Sequence, residues 1–151
     1  MKRAHVFLAI ALASAAGAAT VASANPDIRA AHSSRAATVQ LRHTSLGSIL
    51  VSSSGRTLYE FTRDHGGKSS CAAISGCSEV WPSLRTSGRP TAGSGIKASL
   101  LSTTSGKQVT YAGHPLYTYS GDSGPGATHY VGAKQFGGTW YALTASGGAV
   151  K

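Results

Sequence analysis

Apolar positions in this chain come as short runs broken by Gly, Ser and Thr. Ser48-Ile49-Leu50-Val51 is an apolar run of strand type, and Ser52-Ser53-Ser54-Gly55 reads as a turn. Thr57 to Thr62 then alternates, with Tyr59 and Phe61 on one face and Leu58 and Glu60 on the other, which predicts a β-hairpin. A tighter version follows. Gln108 to Tyr111 is a strand, Ala112-Gly113 a turn, and Leu116 to Ser120 the return strand. Pro115 has no amide proton for a ladder, so it belongs at a strand start or a sheet edge. Ile96 to Leu101 fits either one helical turn or a strand. Residues 25–43 carry scattered Ala, Ser and Arg without apolar period, which predicts a disordered linker.

The two hairpins share more than a shape. Gly55-Arg56-Thr57-Leu58-Tyr59-Glu60-Phe61-Thr62-Arg63-Asp64 returns as Gly113-His114-Pro115-Leu116-Tyr117-Thr118-Tyr119-Ser120-Gly121-Asp122. Both read Gly-x-x-Leu-Tyr-x-aromatic-x-x-Asp, and each is followed by a glycine loop and then a tryptophan, Trp81 and Trp140. Two markers recurring at a separation of 58 or 59 residues indicate an internal duplication. A lone hairpin buries too little surface to stand alone. The expected fold is therefore all-β: two tandem β-hairpin pseudo-repeats, 44–101 and 102–151, around one shared small core.

The ends and the charge say where such a chain works. Met1-Lys2-Arg3, the apolar stretch Val6 to Leu12 and Ala22-Ser23-Ala24 form a secretion signal, so residues 1–24 are expected to be removed on export. That leaves 12 basic and 5 acidic side chains, a net charge of +7, and no expected transmembrane span. Export excludes intracellular nucleic acid as a partner and leaves anionic envelope polymers or membrane surfaces. Cys71 and Cys77 are the only cysteines, and an even pair in an exported Gly/Ser loop predicts a disulfide. The loop-entropy model assigns so short a ring roughly 2.4 kcal/mol.

Each candidate site has a plain structural reading beside it. Asp64 and Asp122 could be paired as acid and base or as cation ligands. An aspartate repeated at one local position beside glycines more simply closes a turn, as an Asx-turn. Tyr59, Phe61, Tyr117 and Tyr119 could be a stacking platform, but a chain poor in Leu and Ile needs these rings, and Trp81 and Trp140, for its core. His65, His114 and His129 are weak metal candidates, because no pair has ligand spacing. Gly121-Asp122-Ser123-Gly124-Pro125 echoes a serine-protease nucleophile loop, but it lacks the second glycine and the only upstream match for its histidine is His32 in the linker. Gly67-Lys68-Ser69 lacks the earlier glycine of a phosphate loop.

The doubled Tyr-x-aromatic-x-x-Asp motif, the Cys71–Cys77 loop with Trp81-Pro82 after it, and Gly138-Thr139-Trp140 resemble the bacterial secreted-repeat family of unknown function, predicted lipoproteins with a Yx(FWY)xxD motif. The resemblance runs over about residues 46–145 and implies extracytoplasmic placement and a tandem build. It implies no activity and no cofactor. Ala24-Asn25 stands where lipidated members carry a cysteine, so free export is expected. The function that follows is a non-catalytic envelope or extracellular protein that binds anionic envelope components. Arg56, Arg63, Lys68, Arg85 and Arg89 are expected to form a basic rim around a carboxylate. A metal- or haem-handling redox accessory protein and a small extracytoplasmic hydrolase are the alternatives.

Overall fold

The computed structural model describes residues 36–151, so the signal segment and residues 25–35 of the linker lie outside the described residues. The described residues form ten short strands: β1 (Thr38–Thr44), β2 (Gly47–Ser52), β3 (Tyr59–Phe61), β4 (Thr91–Ala92), β5 (Leu101–Thr103), β6 (Val109–Tyr111), β7 (His114–Pro115), β8 (Ala133–Gln135), β9 (Gly138–Leu143) and β10 (Ala149–Val150). Among the described residues helix is confined to 3-10 turns at Cys71–Ala73 and Ala98–Leu100 and one α-turn at Cys77–Val80. Among the described residues no helix is long and apolar enough to cross a membrane.

The linker expectation needs correction over its last residues. Thr38–Thr44 is a strand, antiparallel to β2 from Val39↔Ser52 to Thr44↔Gly47 and parallel to β4. Val39 is fully buried, and this single anchor plus the β2 ladder is enough to order a segment whose arginine and histidine hide its alternation. The ambiguous stretch at 96–101 resolves as both options in succession, a 3-10 turn running into β5. Pro115 sits in β7, a terminal strand of the sheet ordered β5-β6-β7.

Each motif folds back on the strand before it over only a few residues. In the first repeat Val51 bridges Thr57 and Leu58 donates its amide to Leu50. In the second, Thr110 pairs Pro115, Tyr111 pairs His114, and Leu116 donates to Val109. Beyond those contacts each motif strand leaves its own repeat. Tyr59 and Tyr117, equivalent residues of the two copies, exchange both backbone hydrogen bonds, at 2.9 and 3.0 Å. Two equivalent residues forming one hydrogen-bonded antiparallel pair mark an approximate two-fold axis between the repeats.

The flanking pairs obey the same axis. Tyr59 pairs Ala142 and Phe61 pairs Trp140, so the motif strand of repeat one lies against the tryptophan segment of repeat two. Reciprocally, Tyr117 bridges Ser83, Leu84 donates to Leu116, and Thr118 donates to Pro82. Ser83 and Ala142 each lie two residues after their tryptophan, so the register is the same on both sides.

This central layer divides the interior. Leu58 and Leu116 enter one cluster with Val39, Leu50, Val109, Tyr111 and Leu143. Tyr59, Phe61 and Tyr117 enter a second with Trp81, Trp140 and both cysteines. A small third cluster holds Ile49, Val51 and Ala142. The single shared core of the sequence reading is thus split, although both large clusters draw on both repeats. The alternation within Thr57 to Thr62 is real, but its second face is covered too: Leu58 and Glu60 are buried.

Candidate functional site

The motif residues meet across the two-fold axis rather than within a copy. Tyr117 Oη lies 2.7 Å from Asp64 Oδ2 and 2.7 Å from Ser69 Oγ. A phenol has one proton, so Tyr117 donates to the carboxylate and accepts from the serine. Asp64 Oδ1 also accepts from the Ser70 amide at 2.7 Å and the Ser70 hydroxyl at 2.8 Å. On the other side Tyr59 Oη donates to Asp122, 3.2 and 3.4 Å from its two carboxylate oxygens. Each copy's tyrosine therefore serves the other copy's aspartate. The motif spacing matters because the strand carries tyrosine inward while the turn three residues after the next aromatic returns the aspartate to the partner phenol.

The turn-closing reading holds in part for Asp64, which accepts the Ser70 amide of the loop that follows it, whereas Asp122 accepts from Tyr59 of the other copy. The turns themselves close through backbone, Asp64 N to Phe61 O at 3.0 Å and Asp122 N to Tyr119 O at 3.4 Å. Asp64 is held by Ser70 of its own following loop and by Tyr117 of the other copy, and Asp122 by Tyr59 of the other copy. The two aspartates share no hydrogen-bond partner.

Their electrostatics differ. Burial pushes the Asp122 carboxyl above the usual carboxylate range, opposed by the Tyr59 hydrogen bond and by the charges of Arg56 and His129. Burial raises both phenols as well, reinforced at Tyr59 by the Asp122 charge and at Tyr117 opposed by the Ser69 hydrogen bond. Neither tyrosine is a source of phenolate near neutral pH.

The aromatic residues form a column through the second cluster. Phe61 stacks on Trp140 at 4.0 Å, Trp140 on Trp81 at 4.0 Å, Trp81 meets Tyr119 at 4.5 Å, and Tyr119 meets Tyr130 at 3.9 Å. Tyr59 stands edge-on to Trp81 and Tyr117 edge-on to Trp140, both at 5.1 Å. Phe61–Trp140 and Tyr119–Trp81 are again the same contact made across the axis. Gly138 admits it, because a Cβ there would lie 2.5 Å from the Phe61 ring. Only Tyr119 and Tyr130 of the column are half-exposed at its end, and the rest of the rings are interior. Trp81 Nε1 donates to Gln135 Oε1 at 2.8 Å, whereas Trp140 Nε1 has no partner among the described residues.

Cys71 and Cys77 are joined in a disulfide and both are fully buried against the tryptophans. The histidines stay apart. His65 occupies a tight turn with Lys68, His129 contributes charge near Asp122, and His114 Nδ1 pairs with Glu60 Oε2 at 2.5 Å. Among the described residues no three His, Cys, Asp or Glu side chains converge on a common point. The Glu60–His114 pair has no counterpart in the sequence reading, which placed Glu60 with Leu58 on the face opposite Tyr59 and Phe61. Its signal was a carboxylate set between Tyr59 and Phe61. Burial raises the Glu60 carboxyl, with the His114 charge working against it.

The expected basic rim does not assemble around one carboxylate. Arg56 reaches across the axis to the Tyr119 carbonyl beside Asp122. Arg63 donates to Phe136 O at 2.9 Å and Arg85 to Gly106 O at 2.7 Å. Lys68 and Arg89 line two adjoining concavities on either side of β5, away from both motif carboxylates.

Reciprocal strand pairing, crossed Tyr–Asp contacts and a disulfide beside the stacked tryptophans define a duplicated β protein whose halves complete each other. The chain belongs to the family described as a secreted repeat of unknown function, which matches it twice, over residues 41–85 and 99–144. Neither a curated protein nor a solved structure matches it.

Proposed function

We propose that this secreted repeat protein is a non-catalytic binder of an anionic cell-envelope component, held by charge and exported without a lipid anchor. One observation carries the reading. Residues 36–151 hold ten Lys and Arg against four Asp and Glu. Three of those four acids are engaged internally: Glu60 by His114, Asp64 by Tyr117 and Ser70, Asp122 by Tyr59. No Lys or Arg among the described residues forms an ion pair with a carboxylate. The cations therefore face solvent almost unopposed, which raises the local concentration of anions and steers association.

The absence of catalysis is part of the proposal. The two motif carboxylates share no partner, and each is already hydrogen-bonded to a phenol held in its neutral form. The aromatic-pocket alternative loses support because Tyr59, Phe61 and Tyr117 are at most 2% exposed.

The test is cosedimentation of the mature protein with isolated cell envelopes at low and high salt. Exposed charges are screened over about 10 Å at 0.1 M salt, so association should be strong at low salt and lost at high salt. Binding that survives high salt, or no binding at either, would overturn the electrostatic reading.

A further inference from the structure

Three of the described cations that form no ion pair, Lys68, Arg89 and Lys107, line concavities beside β5. Among the described residues this strand ends its sheet and pairs with β6 alone. Ala112 N donates to Leu100 O and Thr104 N to Gln108 O, so alternate positions face β6. Thr103 between them turns its backbone polar groups to the open edge. A concavity of about 590 Å³ lies on one flank, with Lys68 on its wall. Another of about 460 Å³ lies on the other flank, with Arg89 and Lys107 on its wall. Ser102 and Thr103 line both, so the two are one groove crossing the strand edge. Most other side chains on its walls are hydroxyls, among them Thr86, Ser99 and Thr104, and no carboxylate is present.

The backbones of the two lysines are tethered. Lys68 donates its amide to His65 O at 3.1 Å, closing a two-residue turn. Lys107 has its amide on Thr104 O at 2.9 Å and its carbonyl accepting from Thr86 N at 3.0 Å. It also holds φ of 60°, a conformation for which glycine or asparagine is the ordinary occupant. Arg85 braces the same turn through Gly106 O. A lysine placed on a left-handed, doubly tethered backbone projects from a defined point, which lowers the ordering cost of binding.

We infer that this groove is the binding site for a polyhydroxylated polyanion, a chain of sugars or polyols with phosphodiester or carboxylate charges, laid across β5. Lys68 on one flank and Arg89 with Lys107 on the other take the charges. The serine and threonine hydroxyls and the Thr103 backbone take the ligand's hydroxyls. The ligand is a chain because the cations lie in two concavities joined over a strand edge rather than in one closed pocket. This deepens the proposed function and rests on it.

The experiment titrates full-length mature protein with two fluorescent probes, poly(glycerol phosphate) and polygalacturonate. One variant carries Lys68→Gln, Arg89→Gln and Lys107→Gln. A second removes the same charge elsewhere through Arg63→Gln, Lys134→Gln and Lys151→Gln. The groove variant should bind at least one polymer about tenfold or more weaker than wild type, and its slope of log K against log salt should flatten by about two. The control should stay within about threefold of wild type. Whichever polymer binds identifies the charge as phosphodiester or carboxylate. Equal losses from the two variants would overturn the groove while leaving a diffuse electrostatic reading intact. Wild type that sediments with envelopes but binds neither polymer would overturn the ligand class. Wild type that does neither would remove both readings. Monomeric glycerol phosphate competing as well as the polymer, at equal charge, would overturn a chain ligand. Should the groove variant misfold by near-UV circular dichroism, amide shifts of wild type on adding polymer decide instead. They should fall on residues 66–68, 86–90 and 99–107, and shifts elsewhere would overturn the site.

Discussion

Tyr59 and Tyr117 each have one phenolic proton, and each gives it to the aspartate of the opposite repeat. Energetic coupling should therefore cross the axis. Double-mutant cycles on Tyr59→Phe with Asp122→Asn, and on Tyr117→Phe with Asp64→Asn, should show coupling of about 1 kcal/mol. The within-copy pairs, Tyr59 with Asp64 and Tyr117 with Asp122, should be additive to within about 0.5 kcal/mol in urea unfolding. Coupling confined to the within-copy pairs would contradict the crossed arrangement. The two aspartates should not cost the same. Asp64 accepts three short hydrogen bonds, so Asp64→Asn should cost about 1–2 kcal/mol. Asp122 accepts longer bonds from one phenol, and burial raises its carboxyl above the usual range. A raised folded-state value means the proton is held more tightly when folded. Its stabilising contribution is full below the unfolded value, about 3.9, and is lost as pH rises through the raised one. The stability of wild type minus that of Asp122→Asn should accordingly fall as pH rises across that window and be flat above it. Denaturant curves at a series of pH values measure this, and a difference that grows with pH would contradict it.

Among the elements, the Cys71–Cys77 loop links the two kinds of contact at the axis. Ser70, which binds Asp64, precedes it, and Trp81 of the aromatic column follows it. The two sulfurs are bonded to each other, so a thiol reagent in denaturant without reductant should label neither cysteine, and both should label after reduction. Cys71→Ser with Cys77→Ser should lower stability by about 2 kcal/mol, read from the urea midpoint. Unchanged stability would mean the loop is held by its packing alone. The same scale shows what pattern reading recovers. The hairpin turns at Ser52–Gly55 and Ala112-Gly113 and the edge position of Pro115 follow from local chemistry, because glycine and proline act on their own backbone. Strand β1 was hidden because Val39 is its one fully buried residue.

For the whole molecule, neither repeat contains the partners of its own motif strand. Residues 59–61 need β9, and residues 116–118 need the segment around Trp81. Fragments 36–97 and 98–151 should each be unfolded alone, with poor amide dispersion in NMR spectra, and should gain dispersed signals when mixed. An isolated fragment with native-like dispersion would show that the repeats are independent domains. The same dependence accounts for the duplicated motif. A chain that pairs across a two-fold axis must present each half-contact twice, once from each copy.

The sequence by itself determined the duplication, the mostly β character, the disulfide and the family, because these depend on residue type, spacing and local backbone preference. It also exposed the charge surplus, which is a count. Tertiary structure decided which copy each contact joins. Tyr59 to Asp64 and Tyr59 to Asp122 are equally compatible with the pattern, since identical motifs carry no label for their partner. Only the antiparallel Tyr59–Tyr117 pairing brings each phenol to the far carboxylate. The fate of the charges was decided there as well. Arg56 and Arg63 flank the motif in sequence, yet one crosses to Tyr119 and the other to Phe136, while Lys68, Arg89 and Lys107, distant along the chain, line the groove at β5. Proximity of charges is a property of loop closure over long separations, and local pattern contains no information about it.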